Sequence, residues 1–138
     1  TQLQVVAAVR YITNGTYLGI MKEMLEAPVS DNMQPLKTRI AKLVALYEEA
    51  LNKVNGDENQ DEHDFLARRL YDMTAEIIMS LLIIADASKA PALFEKSANV
   101  YVRMAEEDVI GKAAYIKAFN VDDLKSFVAD TTAEETEA

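Results

Sequence analysis

The sequence predicts an all-α fold, an up-and-down helical bundle of four main helices with short accessory helices. Only four glycines and three prolines occur in 138 residues, so few positions interrupt a helix. Apolar residues recur at intervals of three and four along most of the chain, whereas no segment alternates apolar and polar residues as a half-buried strand would. Half of the residues are apolar, which is enough for one core in a chain of this length.

The first two predicted helices are short and are separated by a tight turn. The first ends near Thr13, because Asn14-Gly15 tolerates the left-handed conformation that closes many helices. Thr16 is predicted to cap the second helix, which Pro28 stops.

The helices that follow are longer. The third opens at Pro35 and ends at Asn55-Gly56-Asp57. The polar stretch from Asp57 to Asp64 is predicted to loop out or fray before the fourth helix. A turn over Asp86 to Ala90 then leads to the fifth helix, with Pro91 in its first turn.

The fourth helix is the most apolar and is expected at the centre of the bundle. Ile77, Ile78, Leu81 and Leu82 cover two adjacent sides of about one turn. We expect both sides to be buried, one against the third and fifth helices and the other against the first helix or a second chain.

The end of the chain is less apolar. Asn120 is predicted to cap a last short helix that carries Val121, Leu124, Phe127 and Val128. We assign residues 1–130 to a single helical-bundle domain and residues 131–138 to a disordered acidic tail.

Composition argues against several classes of partner. The net charge of −9 repels phosphate backbones and anionic bilayers, so we expect neither nucleic acid nor a membrane as partner. The longest apolar run, residues 77–85 with only Ser80 interrupting it, is much shorter than the roughly 20 residues that span a bilayer. Because the chain has no cysteine, it forms no disulfide or thiolate site, and we expect a cytoplasmic location.

The few residues that could carry chemistry have simpler interpretations. His63 is the only histidine, and Gln60 stands where a Glu-x-x-His metal motif needs glutamate, so we predict a solvated helix start and no metal site. Glu106-Glu107-Asp108 point about 100° apart on a helix and are interpreted as a solvated face. Arg68 and Asp72 have the spacing of a surface ion pair. We therefore assign no catalytic residue to this chain.

Several segments resemble a known enzyme family. Residues 1–4 followed by residues 5–10, TQLQ-VVAAVR, are similar to the run after the catalytic Tyr-Glu-Gly-Thr motif of acyl-CoA dehydrogenases. Residues 34–37, 63–70 and 94–98 resemble the extra C-terminal helical extension of a bacterial branch of that family. With the absence of an initiator Met, this resemblance implies a chain cut directly after the motif.

The resemblance implies a role in a larger flavoenzyme. Such a parent removes two hydrogens from an acyl-CoA thioester, passing a hydride to FAD while a glutamate outside this chain takes the α proton. Residues 1–13 would end a helix of the parent's catalytic domain, and Thr1 and Gln2 would be the only candidates for FAD contact. The implied partners are the rest of the parent chain and a second copy. We expect this chain alone to bind neither FAD nor acyl-CoA.

A second interpretation comes from another class of protein. The Met-rich second helix and the strongly apolar fourth helix could belong to a free-standing interaction module that presents a groove to a partner helix. The position of the exposed apolar side chains distinguishes the two, because a module would gather them in one groove, whereas a severed domain would expose a broad face.

Overall fold

The computed structural model describes residues 10–119, and all regular structure in that range is helical. After a last helical turn at residues 10–13 come α1 (Thr16–Glu26), a short 3-10 turn (Asp31–Met33), α2 (Gln34–Asn55), α3 (Gln60–Lys89) and α4 (Pro91–Ala118). The three long helices pack in up-and-down order, each against the other two, and α1 lies across α2 and α3. The predicted all-α bundle is confirmed.

The turn before α1 differs from the prediction in its capping residue. Gly15 occupies the N-cap with φ of 83°, a left-handed conformation that glycine adopts without strain. The side chain of Asn14 accepts hydrogen bonds from the backbone and the hydroxyl of Thr16, at 3.0 and 2.6 Å. Thr16 is therefore the first residue of the helix, and the prediction that it is the cap was wrong.

The start of α3 also corrects the prediction. The helix begins at Gln60, so the predicted loop from Asp57 to Asp64 is reduced to residues 57–59. Asn59 is the cause, because its side chain accepts a hydrogen bond from the backbone N–H of Glu62 at 3.1 Å. Two acidic residues in the first turn, Asp61 and Glu62, further favour the helix start.

The reversal between α3 and α4 takes a single residue. The turn predicted over Asp86 to Ala90 is instead helical through Lys89, and only Ala90 links the two helices. Ala90 has φ of −139° and ψ of 70°, outside the helical region that a following proline disfavours, and its N–H still bonds to the carbonyl of Asp86. Pro91 occupies the first turn of α4, as predicted.

The core lies between α2, α3 and α4, and every long helix contributes one buried stripe. The largest fully buried side chains are Tyr47, Ile12, Met21, Met33, Ile40, Leu43, Leu66, Leu70, Met73, Ile77, Ile84 and Ile116. The hydroxyl of Tyr47 meets that of Thr74 at 2.8 Å, which satisfies both polar groups inside this core.

The helix expected at the centre, α3, shares the core equally with α2 and α4 and buries one of the two apolar sides predicted for it. Ile77 and Leu81 are buried and Ile78 is partly buried, but Leu82 is 46% exposed. In the described part of the chain, no helix covers the side on which Leu82 lies. The expectation that both sides are buried is therefore wrong for this chain by itself.

Candidate functional site

The residues proposed to contact FAD, Thr1 and Gln2, lie outside the described residues, as do the predicted helix over 121–128 and the tail over 131–138. Within residues 10–119, no three His, Cys, Asp or Glu side chains come close enough together to hold a metal ion. None of the helices in that range is both long and apolar enough to cross a bilayer.

The only histidine lies in the first turns of α3, where most residues are exposed as predicted, although His63 itself is partly buried. The side chain of His63 is 19% exposed, and its Nδ1 lies 3.2 Å from Asp64 Oδ1. Glu62 beside it is buried, so the acidic residues at this helix start are divided between core and surface.

A pair of carboxyl groups meets across the α3–α4 contact. The carboxyl group of Glu76 on α3 lies close enough to that of Asp108 on α4 for a hydrogen bond once one of the two is protonated. Lys112, one turn further along α4, forms an ion pair with Asp108. Asp72 and Tyr101 are the other titratable groups close enough to interact with Glu76. We refer to Glu76, Asp108 and Lys112 as the carboxyl cluster.

The two carboxyl groups differ in their affinity for a proton, which Glu76 binds more strongly than Asp108. Burial raises the pKa of Glu76 to about 7, and the hydrogen bond to Asp108 and its negative charge add to this shift. The hydrogen bond from Glu76 and that from Lys112 lower the pKa of Asp108. With both carboxyls ionised, neither has a hydrogen to donate, and Glu76 Oε2 is a buried acceptor without a donor. Protonation of Glu76 supplies that hydrogen, so the cluster can hold one proton near neutral pH.

The acidic run on α4 was interpreted as solvated, and the structure corrects this for two of its three members. Glu106 forms a two-point ion pair with Arg39 on α2, and Asp108 belongs to the carboxyl cluster, whereas Glu107 is exposed. Consecutive residues of a helix point 100° apart, as noted for this run. Glu106 therefore points to α2 and Asp108 points to α3. The carboxyl cluster could not be predicted from the sequence, because its formation depends on which residues of α3 lie opposite which residues of α4.

Arg69 stacks on aromatic rings. The neighbouring residue, Arg68, was the one predicted to form a surface ion pair, with Asp72. The guanidinium of Arg69 lies 3.8 Å from the ring centre of Tyr115 and 5.0 Å from that of Phe65. Phe119 completes the group, with its ring centre 5.6 Å from that of Phe65. In the described part of the chain, no ion pair joins Arg68 to Asp72, so that prediction was wrong.

Arg69→Ala is expected to lower the free energy of unfolding by about 1 kcal/mol, because the guanidinium lies over two rings at the end of the bundle. The matched control is Arg68→Ala, which removes the same group from an exposed position of the same turn. Urea denaturation of both variants measures the difference. Equal midpoints would show that the stacking contributes nothing.

Six exposed apolar side chains lie on α3 and α4, three on each helix, on the side of that helix that faces away from its own buried residues. They follow helical spacing on each helix, and Leu93 and Val100 are more than 70% exposed. We define this surface as the outer face, formed by Tyr71, Met79, Leu82, Leu93, Val100 and Met104. A row of exposed apolar side chains of this extent is typical of a surface that contacts another protein surface.

A separate groove runs between α2 and α4. Its volume is about 400 Å³, and it exists because small residues, Ala50, Ala113 and Ala114, line the contact between the two helices. We define the α2–α4 groove by its lining residues, Leu46, Glu49, Ala50, Lys53, Ile110, Ala113, Ala114 and Lys117.

The described residues do not fit a dinucleotide cofactor. A pyrophosphate is usually held at a glycine-rich helix start, where backbone N–H groups and the helix dipole favour negative charge. Here α2 and α4 open with Pro35 and Pro91, and α3 opens with Asp61 and Glu62. None of the three long helices therefore begins with a pyrophosphate site of this kind.

Comparison with known families decides what the bundle is. A family model described as "Acyl-CoA dehydrogenase C terminal" matches residues 13–124, which is most of the chain. The chain belongs to this family. The acyl-CoA dehydrogenase C-terminal family thus accounts for the helical bundle, and the resemblance found in the sequence is confirmed.

A solved structure agrees with this assignment. The chain is similar to the crystal structure of the acyl-CoA dehydrogenase family protein from Porphyromonas gingivalis, with 32% sequence identity and a TM-score of 0.76. The similarity covers 83% of this chain and 98% of that chain. A search of curated proteins found no match.

Proposed function

We propose that this bundle is the C-terminal helical domain of an acyl-CoA dehydrogenase and that it serves domain packing or oligomerisation through its outer face. The parent enzyme would carry out FAD-dependent α,β-dehydrogenation of acyl-CoA thioesters in the cytoplasm. The rest of the parent chain and a second copy would be the partners of this domain. The family match over residues 13–124 supports the parent, and the outer face supports the packing role.

The outer face carries the packing proposal. Val100 and Leu93 are the most exposed large apolar side chains of the described residues, and Met79 and Met104 are each half exposed. Burying such side chains against another surface stabilises an assembly by roughly 25 cal/mol per Å² of apolar area. The carboxyl cluster, by contrast, lies between α3 and α4 and has the character of a structural contact.

The alternative, a free-standing interaction module, predicts exposed apolar residues gathered in one groove. Only Ile110 among the strongly exposed apolar residues lines the α2–α4 groove, whereas six lie on the outer face. This distribution favours a domain that packs by a broad surface.

Methionine oxidation tests the packing proposal. In this chain alone, dilute hydrogen peroxide should oxidise Met79 and Met104 readily and leave buried Met73 largely intact. In the full enzyme, Met79 and Met104 should react at least about tenfold more slowly if another surface covers them. Tandem mass spectrometry of tryptic peptides reads each site, with fragmentation needed to separate Met73 from Met79 because both lie in the peptide of residues 70–89. Equal rates in the chain and the enzyme would rule out the outer face as a packing surface.

The coding sequence tests the parent itself. The reading frame immediately before Thr1 should encode Tyr-Glu-Gly-Thr, preceded by a flavin-binding region. A stop codon at that position would overturn the assignment of this chain to a dehydrogenase. The mass of the purified enzyme in solution would then separate packing within one chain from packing between copies.

A further inference from the structure

We propose that residues 121–128 form an amphipathic helix that folds back and occupies the α2–α4 groove of the same chain. The occupant is thus a segment of this protein rather than a partner. Four observations support it, namely where the described chain ends, the length of the groove, the pattern of the segment and the charges on both.

The described chain ends at the mouth of the groove. Lys53, which lines the groove, donates hydrogen bonds to the carbonyls of Ile116, Lys117 and Phe119, the last at 3.0 Å. These bonds hold the chain at the end of α4 against α2. The next residues therefore start beside Lys53, within one or two residues of the groove.

The groove and the segment match in length. The groove extends over eight residues on each wall, from Leu46 to Lys53 and from Ile110 to Lys117, or about 10.5 Å along the helix axes between the first and the last Cα atom. A helix over residues 121–128 is about 12 Å long. The family match continues to residue 124, beyond the last described residue, so the segment belongs at least in part to the domain.

The segment has one apolar side to place against the groove. Val121, Leu124, Phe127 and Val128 lie within about 120° of each other on a helix. The groove offers the complementary surface, because Ala50 and Ala113 form a buried floor and Ile110 is half exposed on one wall. An aromatic ring and branched side chains fill the space that small alanines leave open.

The charges of the groove and the segment are complementary. Lys53 and Lys117 lie at the end where the chain enters, and the segment begins with Asp122-Asp123. Glu49 lies one turn before Lys53 in α2, deeper in the groove. Lys125 follows Asp122 and Asp123 by about one turn in the segment. A helix running back along the groove with its apolar side inward places Asp123 and Lys125 on its two edges, at the levels of the lysines and of Glu49, whereas Asp122 points away from the groove.

A pair of fluorescence probes tests the proposal, because the chain contains neither cysteine nor tryptophan. In the full chain, Phe127→Trp provides a contact quencher and Ala114→Cys a bimane label on the groove. The control is Ala75→Cys, an exposed alanine on α3, labelled in the same Phe127→Trp background. The label at position 114 should lose more than half of its fluorescence, and the label at position 75 should lose little.

A second pair of substitutions removes the apolar contact without changing the fold. Leu124→Asp should restore most of the fluorescence at position 114, whereas Ser126→Asp, which adds the same charge on the polar side of the segment, should not. Circular dichroism confirms that α2 and α4 remain helical in every variant. Quenching that is absent, that is equal at position 75, or that increases with protein concentration would overturn the proposal, the last by showing that a second copy fills the groove. None of these outcomes depends on the outer face or on the parent enzyme.

Discussion

Leu81→Ala lowers the free energy of unfolding by about 2–5 kcal/mol, whereas Leu82→Ala lowers it by less than about 1 kcal/mol. Leu81 is 5% exposed in the core between α3 and its neighbours, so truncation leaves a cavity there. Leu82 is 46% exposed, and water already surrounds much of its side chain. Two adjacent leucines of one helix thus differ because they point to opposite surroundings.

Urea denaturation followed by circular dichroism measures this difference, with the slope of the free energy against denaturant held constant between variants. Ile77→Ala should behave like Leu81→Ala, because Ile77 is fully buried. Glu107→Ala, on the exposed side of α4, should leave the midpoint unchanged within error. If all of these variants melted like the parent chain, α3 would not contribute to the core of the bundle.

Glu76→Gln stabilises the protein at pH 8 by about 1–2 kcal/mol and leaves its stability at pH 4.5 nearly unchanged. The folded state holds the pKa of Glu76 near 7, above the ordinary value of 4.5, so it keeps a proton that the unfolded chain loses across that interval. Stability of the wild-type chain therefore falls as the pH rises from about 4.5 to 7 and then levels off. A glutamine amide donates to Asp108 at every pH and removes this loss.

The measurement is the free energy of unfolding at several pH values between 4.5 and 8, for the wild type, Glu76→Gln and the control Glu107→Gln. The control replaces an exposed glutamate and should follow the wild-type pH dependence. The depressed pKa of Asp108 acts in the other direction and only at more acidic pH, below the range of the experiment. An unchanged pH dependence in Glu76→Gln would mean that the two carboxyl groups do not share a proton.

The helices could be predicted from sequence because their apolar spacing and their prolines are local signals. Pro35 and Pro91 placed two helix starts to within a residue, and the inward side of α4 follows its apolar residues. The errors in the helix starts were also local. Several neighbouring residues could serve as N-cap, and the backbone conformation selects Gly15 for α1 and Asn59 for α3. A single non-helical residue such as Ala90 cannot be recognised from the local amino-acid composition.

The contacts between helices were less accessible to sequence reasoning. Whether Glu76 meets Asp108, or Arg39 meets Glu106, depends on how far one helix slides along the next, and no pairwise pattern in the chain encodes that offset. The family resemblance identified the domain without this information. The roles proposed for Thr1 and Gln2 stay predictions.

The one-residue reversal at Ala90 bears on how quickly this protein can fold. Because nothing but Ala90 separates α3 from α4, the first contacts between the two helices close very small loops, and each later contact extends the previous one toward the far ends. Pairings of short sequence separation lose little chain entropy before they gain burial, and proteins rich in them have low contact order and fold quickly. The long contact between α3 and α4 can thus form from the reversal outward, ahead of the more distant contacts that α1 makes with this framework.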